Sequence, residues 1–266
     1  MSRRLLIAKS AARAAGKVIK EKLSDAREIH FKGTRDIVTD ADHAADRIIH
    51  QIIHARFSND KFISEEGDAS ERKALWARAA ASDAEYLWVI DPLDGTTNYA
   101  HRFPAFCVSI ALYHANAVQI GVVYDPLRDE LFSAERGKGA CLNGKTINVS
   151  DTNRFMDAVI AGDWSRSAQV RRKTAAIYSE VLVRCMSARA LGSAALALCY
   201  IAAGRLDGYF HLSLASWDMA AGALIIDEAG GRVTTPNGAA WSVHSKSYVA
   251  SNGILHRELL RYFNRD

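Results

Sequence analysis

Two carboxylates three residues apart close an apolar run in "WVIDPLDGTTNYAHRFP", Trp88 to Pro104. Asp91 follows Trp88-Val89-Ile90, Pro92 restricts the chain to an extended turn, and Asp94 comes just before Gly95. Acids this close repel at neutral pH unless a positive charge stands between them. Gly95 permits close backbone approach or a positive φ, and Thr96-Thr97-Asn98 is a helix-starting cluster with free N–H groups. A helix start beside carboxylates places an anion site next to a cation site. Those are the parts needed to hold a phosphate and a Mg²⁺ that neutralises it.

Further acids could complete such a site. Glu65-Glu66 end the short apolar piece "KFISEEG", Asp42 lies near the start of a helical pattern, and Asp218 opens the small-residue run "DMAAGALIIDEAGG". Hard carboxylates without His or Cys at ligand spacing point to Mg²⁺ or Mn²⁺ and away from zinc. One acid pair alone is more often a solvated turn or a helix cap than a catalytic pair.

The elements around these residues follow from their periodicity. Leu5, Ile7, Ala8, Ala11, Ala12, Ala15, Val18 and Ile19 mark one face of an N-terminal helix, and Lys9, Arg13 and Lys17 interrupt any signal-peptide core. Ile37 to Thr39 reads as extended, with a helix from about Ala41 that turns Ala44, Ala45, Ile48, Ile49, Ile52 and Ile53 inward. "ASERKALWARAAA" is helical and "YLWVI" is a strand. From Phe106 to Phe132 short apolar runs alternate with turns, Asp125-Pro126 among them, and predict antiparallel hairpins. The last part alternates strands ("AVIAGD", "LDGYFHL", "RVTT", "SYVASN") with helices ("AQVRRKTAAIYSEVLV", "SAALALCYIAAG", "SWDMAAGALIIDEAG", "GILHRELLRYF"), an α/β pattern. The expectation is two halves, 1–150 with most of the acids and 151–266, packed as one unit with a site in the cleft between them.

Composition narrows the class. The 266 residues, 49% hydrophobic, suffice for a large core, and no stretch approaches the roughly 20 apolar residues that span a bilayer, which predicts a soluble protein. The net charge of +4 comes from 34 basic and 30 acidic residues interspersed along the chain, weak ground for a nucleic-acid partner. The densest basic run, Arg171-Arg172-Lys173, reads as a solvated helix face, with an RNA or DNA contact as the alternative. Cys107, Cys141, Cys185 and Cys199 form no CxxC pair and are expected to be reduced, buried thiols of a cytosolic protein.

Taken together, "DIVTDAD", "FISEEG", "WVIDPLDGTTNYAHRFP" and "SWDMAAGALIIDEAGG" strongly resemble the inositol monophosphatase family of lithium-sensitive, Mg²⁺-dependent sugar phosphatases. The motifs run in the family's order across nearly the whole chain, with "GVVYDPLRDELFSAERGKGACLNG" and "ARALGSAALALCYIAAGRLDGYF" between them. The resemblance implies a five-layer αβαβα sandwich of the inositol monophosphatase and fructose-1,6-bisphosphatase type. It also implies a cytoplasmic homodimer that hydrolyses inositol 1-phosphate with two or three Mg²⁺ ions, Mn²⁺ being able to substitute.

Residue by residue, Asp91 matches the aspartate that bridges two metals, with Glu66 and the Leu93 carbonyl on one and Asp94 and Asp218 on the other. Glu66 would also touch a third, looser ion. Asp42 and Thr96 match the residues that orient and deprotonate the attacking water, and the Gly95 and Thr96 N–H groups match those that hold phosphate oxygens. Water attacks phosphorus directly, with no phosphoenzyme. Glu65 points to the opposite side if its strand stays extended and takes a structural reading. Asp94, Ala194 and Asp218 match positions lining the substrate pocket; Ala194 and Ala195 read equally as small residues for helix packing. Lys32 resembles a loop lysine that approaches the third metal, or is a solvated turn residue.

Two positions depart from the family. Ser64 replaces the usual glycine of "GEE". His211 stands where typical members carry a glutamate that binds sugar hydroxyls; imidazole removes a two-acceptor contact and can add positive charge near pH 6.5. His211 then either contacts a substrate with a second phosphate or a carboxylate, or is a hydrogen-bonded wall residue. Histidinol phosphate, fructose 1,6-bisphosphate and a 3′-phosphoadenosine nucleotide stay open as substrates of the same chemistry. Some bacterial relatives also bind the transcription machinery, which leaves a protein- or RNA-associated role as a reading of another class.

Overall fold

The computed structural model describes residues 1–24, 29–81 and 85–263. The chain opens with α1 (Arg3–Lys22), capped by the Ser2 hydroxyl, which accepts from the Leu5 N–H at 3.3 Å. Its buried face is Leu5, Ala8, Ala11, Ala12, Ala15, Gly16 and Ile19. A hairpin of β1 (Ile29–Gly33) and β2 (Asp36–Thr39) follows, its second strand containing the extended piece expected at Ile37 to Thr39. Thr39 then caps α2 (Asp40–His54), which buries Ala41, Asp42, Ala45, Ile49 and Ile53.

Next come β3 (Lys61–Ser64), α3 (Ala69–Ala81), β4 (Leu87–Asp94), the short α4 (Thr96–Ala100), β5 (Cys107–His114), β6 (Ala117–Asp125), β7 (Glu130–Glu135), β8 (Ala140–Leu142) and β9 (Lys145–Ile147). The strands β3 to β9 form one sheet in chain order, antiparallel except for the parallel pair β3–β4. The later part contributes β10 (Val159–Gly162), α5 (Ala168–Leu182), β11 (Ser187–Arg189), α6 (Ala194–Ala202), β12 (Gly208–His211), α7 (Ser216–Glu228), β13 (Arg232–Thr234), β14 (Tyr248–Ser251) and α8 (His256–Leu260). Its sheet runs β11-β10-β12-β14-β13, parallel over the first three strands and antiparallel over the rest.

Five layers result, as the resemblance implies. Trp88, Ile90, Val108 and Ile110 of the first sheet pack with α1 and α2 in one buried cluster. The other face of that sheet, through Leu87, Val89 and Ala111, shares a cluster with α6, α7 and the inner residues Ala161, Tyr209 and Ala250 of the second sheet. Ile160, Phe210 and Val249 on the far face pack with α5 and α8 through Val181 and Leu259. All eight residues of β4 are buried, because helices cover both of its faces. Gly121 lets β6 approach α7: a Cβ there would lie 2.6 Å from the Ala221 carbonyl oxygen. Among the described residues no helix is long and apolar enough to cross a membrane. All four cysteines are free; Cys107 and Cys199 are buried, but Cys141 and Cys185 are only half-buried, which corrects the expectation for those two.

Candidate active site

The C-terminal end of β4 opens into a cleft of about 1240 Å³ whose lining includes Asp91, Asp94, Gly95, Thr96, Ala194 and Asp218. Residues three apart on a regular strand point to opposite faces. Here the β4–β5 register shifts, Asp91 pairing with Ser109 but Asp94 with Cys107, so one extra residue is accommodated and the two carboxylates come together. Asp218 arrives from the first turn of α7, where its Oδ2 accepts from the Ala215 N–H at 2.7 Å. Carboxylate oxygens of Asp91, Asp94 and Asp218 lie within 4.8 Å of one another.

Crowding and burial make these acids reluctant to ionise. Burial pushes Asp91 well above the usual carboxylate range, with further upward pressure from Glu65, Asp94 and Asp218. Asp218 is raised to about 8 by burial and then by Glu65 and Asp94. Asp94 rises only to about 6, because the Ser193 hydroxyl (2.6 Å) and the Ala195 N–H (2.8 Å) donate to its Oδ2 against the effect of burial. Arg166, 3.6 Å from Glu65, acts on Asp218 too, but behind burial and two like charges. Such an all-oxygen, electron-rich donor set fits an oxygen-seeking divalent cation, whose charge would relieve the repulsion.

Behind the cluster, Thr96 Oγ1 stands 3.2 Å from Asp42 Oδ1 and 3.0 Å from the Leu93 carbonyl oxygen, to either of which it can donate. Asp42 Oδ2 accepts from the Thr39 N–H (2.8 Å) and hydroxyl (2.6 Å). Burial still lifts Asp42 to about 7, since those bonds offset it only in part. Gly95 has φ 91° and ψ 34°, and a Cβ there would sit 2.8 Å from the Ala105 carbonyl oxygen. That left-handed kink turns the start of α4 toward the cleft.

Two expectations change. β3 stops at Ser64, and a turn closed by Gly67 N–H to the Ser64 carbonyl replaces the extended strand on which Glu65 was to point away. Glu65 therefore lines the cleft and presses on Asp91, Asp94 and Asp218. Glu66, expected as the metal ligand, has its carboxylate 3.9 Å from His43 and, like Glu65, acts on Asp42.

The structure bears on the two readings left open for His211. It lines the cleft but is 5% exposed, its Nδ1 accepts from the Ser213 N–H at 3.0 Å, and its ring also bonds the Trp164 backbone. Burial depresses it to about 4, so it adds no positive charge at neutral pH. With its Nδ1 engaged by the Ser213 N–H and its ring neutral, His211 fits the wall reading better than that of an anion contact. Second, Arg171 faces the cleft instead of lying on the solvated helix face with the exposed Arg172 and Lys173. The Lys32 side chain lies outside the described residues.

Sequence reasoning missed Asp163 and Ser193. Asp163 is 6% exposed, lines the cleft and accepts from the Gly192 N–H at 2.8 Å. Its signal was present: "AVIAGD" runs an apolar strand into a carboxylate, as "WVID" does. Ser193 caps α6 and steadies Asp94.

The sequence profile of the Inositol monophosphatase family matches residues 1–266. The chain belongs to that family. Inositol monophosphatase 3 of Solanum lycopersicum is 38% identical over 261 residues, covering 97% of this chain and 95% of the relative. The Nus factor SuhB of Vibrio cholerae serotype O1 is 43% identical over 251 residues, covering 93% and 91%. Among solved structures, the extragenic suppressor protein suhB of Bartonella henselae superposes with a TM-score of 0.91 at 33% identity over 99% of both chains. The IMPase of Thermotoga maritima gives 0.88 at 32% identity over 99% of this chain and 97% of that one. Family membership makes the chain a phosphatase of this superfamily, whose members act on small phosphoesters.

Proposed function

We propose that this family member is a Mg²⁺-dependent phosphomonoesterase of a small phosphorylated polyol, with inositol 1-phosphate first, that uses direct attack of water. The observation that carries the reading is the meeting of three carboxylates, two buried and one half-buried, within 4.8 Å, beside a left-handed glycine and a threonine–aspartate pair. Asp91, Asp94, Asp218, Glu65 and the Leu93 carbonyl are the groups that would hold two or three Mg²⁺ ions, with Mn²⁺ a substitute. When bound, a divalent cation supplies Lewis-acid polarisation of the phosphoryl group and neutralises the acids.

The chain's own residues do the rest. The N–H groups of Gly95 and Thr96 orient phosphate oxygens, and Ala194, Asp94 and Asp218 bound the space for the alcohol. The attacking water gives its proton toward Thr96 Oγ1, whose own proton runs to Asp42 Oδ1, 3.2 Å away. An aspartate raised to about 7 by burial can hold that proton at neutral pH. The leaving alkoxide takes a proton from water in the open cleft. A cytoplasmic homodimer and inhibition by lithium belong to the same reading.

The test is phosphate release, with and without Mg²⁺, from inositol 1-phosphate, histidinol phosphate, fructose 1,6-bisphosphate and 3′-phosphoadenosine 5′-phosphate. Mg²⁺-dependent release from inositol 1-phosphate is expected. A preference for another member moves the substrate assignment, and silence on all four with Mg²⁺ or Mn²⁺ contradicts the reading.

A second role rests on the 43% identity to a protein named Nus factor SuhB. On that reading the chain also joins the transcription machinery, through a basic surface separate from the cleft.

A further inference from the structure

His211 in the cleft wall is neutral and its Nδ1 is held by the Ser213 N–H, so it offers no cation to the alcohol part of the substrate. Yet the cleft, at about 1240 Å³, exceeds the usual 300–1,000 Å³ of a small-molecule site. Its acids Asp91, Asp94 and Asp218 are gathered within 4.8 Å of one another, while arginines enter its lining from the β1–β2 hairpin and from the segment leading into α5.

Two of those arginines are committed. Arg35 donates through Nη1 to the Arg166 carbonyl oxygen at 3.0 Å, and Arg166 pairs with Asp36 at 2.7 Å. Arg171 is different. It is half-buried, lines the cleft from the first turn of α5, and its guanidinium has no hydrogen-bond or ion-pair partner among the described residues. No acidic residue occupies that first turn, so the helix end adds to the positive field. Lys246 also reaches the cleft, but it is exposed, and a hydrated ammonium selects less sharply than a fork of donors.

We propose that Arg171 is a specificity-determining residue that binds a second oxyanion, phosphate or carboxylate, on the alcohol part of the phosphomonoester. This rests on the phosphatase reading above. The guanidinium presents paired N–H donors, and a doubly anionic substrate would set one anion at the acid cluster and the other at Arg171, both of which line the same cleft. A singly anionic polyol phosphate leaves Arg171 in water.

The experiment compares wild type, Arg171→Ala, Arg171→Lys and Lys246→Ala on three substrates in Mg²⁺. Fructose 1,6-bisphosphate carries a second phosphate, 3-phosphoglycerate a carboxylate, and inositol 1-phosphate neither. Arg171→Ala should raise KM for one or both doubly anionic substrates about tenfold or more while leaving kcat and the inositol 1-phosphate kinetics unchanged, as loss of a charge-assisted contact used equally in ground and transition states requires. Whichever of the two loses affinity identifies the anion; Arg171→Lys should recover only part of the loss. An equal effect on all three substrates, no effect on any, or the same selectivity loss in Lys246→Ala overturns the assignment of Arg171 and leaves the phosphatase reading standing. Absence of turnover by wild type on all three overturns both.

Discussion

Replacing Asp91 by asparagine keeps its volume and removes a carboxyl whose ionisation burial and the neighbouring acids oppose, so metal-free protein should become more stable, not less. Thermal melts in chelator should show a higher Tm for Asp91→Asn than for wild type, and the rise in Tm that Mg²⁺ gives wild type should shrink. The pH dependence has a definite sign. Asp42, Asp94 and Asp218 have folded values of about 7, 6 and 8, above their ordinary carboxylate range, so the folded state keeps protons that the unfolded chain has lost. Their contribution is full below about pH 4 and is lost as pH rises through 6 to 8. Added Mg²⁺ should therefore raise Tm more at pH 8 than at pH 5. His256 acts in the opposite direction: buried between Ser251 (2.9 Å) and Thr234 (2.8 Å), it is depressed to about 4 by burial, so its contribution holds above pH 6.5 and is lost as pH falls toward 4. Urea midpoints at pH 4.5 and 7 should fall less on acidification in His256→Asn than in wild type. At this scale Asp42, Asp91, Asp94, Thr96 and Asp218 were legible as residue types at telling places, whereas the entry of Glu65 into the cleft lining was not. It depends on β3 ending at Ser64 and on the turn that follows, which neither alternation nor composition encodes.

The active-site turn concentrates its demands on one glycine. Gly95→Ala forces a side chain into φ 91° and against the Ala105 carbonyl at 2.8 Å, and should cost about 1–3 kcal/mol from the backbone conformation alone. The measurement is the denaturation midpoint together with phosphate release, and both should drop. Gly121→Ala tests a different contact, the approach of β6 to α7 that carries Asp218; with a Cβ 2.6 Å from the Ala221 carbonyl, it should lower stability and disturb metal-dependent activity together. Apolar runs and helical faces made α1, α2, β4 to β7, α6 and α7 readable. The strands β8, β9 and β11, three residues each, lack the length for a pattern and exist through pairing with neighbours. The register shift inside β4 that joins Asp91 to Asp94 was visible only as Pro92, a residue that forbids a regular ladder without saying where the chain goes next.

Across the molecule, the central α6–α7 layer draws its buried partners from both sheets, so we propose that 1–150 and 151–266 are parts of one folding unit and not separable domains. The proposed transcription role predicts that Arg172→Glu with Lys173→Glu, both exposed, abolishes binding to RNA polymerase or RNA while phosphate release stays at wild-type level. Binding that survives the charge reversal, or that never occurs in wild type, removes that role and leaves the enzyme. The five-layer order was legible through the resemblance of ordered motifs, while the identity of the groups at the cleft mouth was not, because His211 and Arg171 take their roles from Ser213, Trp164 and the start of α5. The central claim is tested most directly by following phosphate release from inositol 1-phosphate against free Mg²⁺ for wild type and Asp91→Asn. Release that is absent in chelator, saturates with Mg²⁺ in wild type and falls by a factor of about 10³ or more in the variant is the predicted result, on the scale of losing a principal electrostatic stabiliser. Mg²⁺-independent release by wild type, or near-normal turnover by Asp91→Asn, contradicts it.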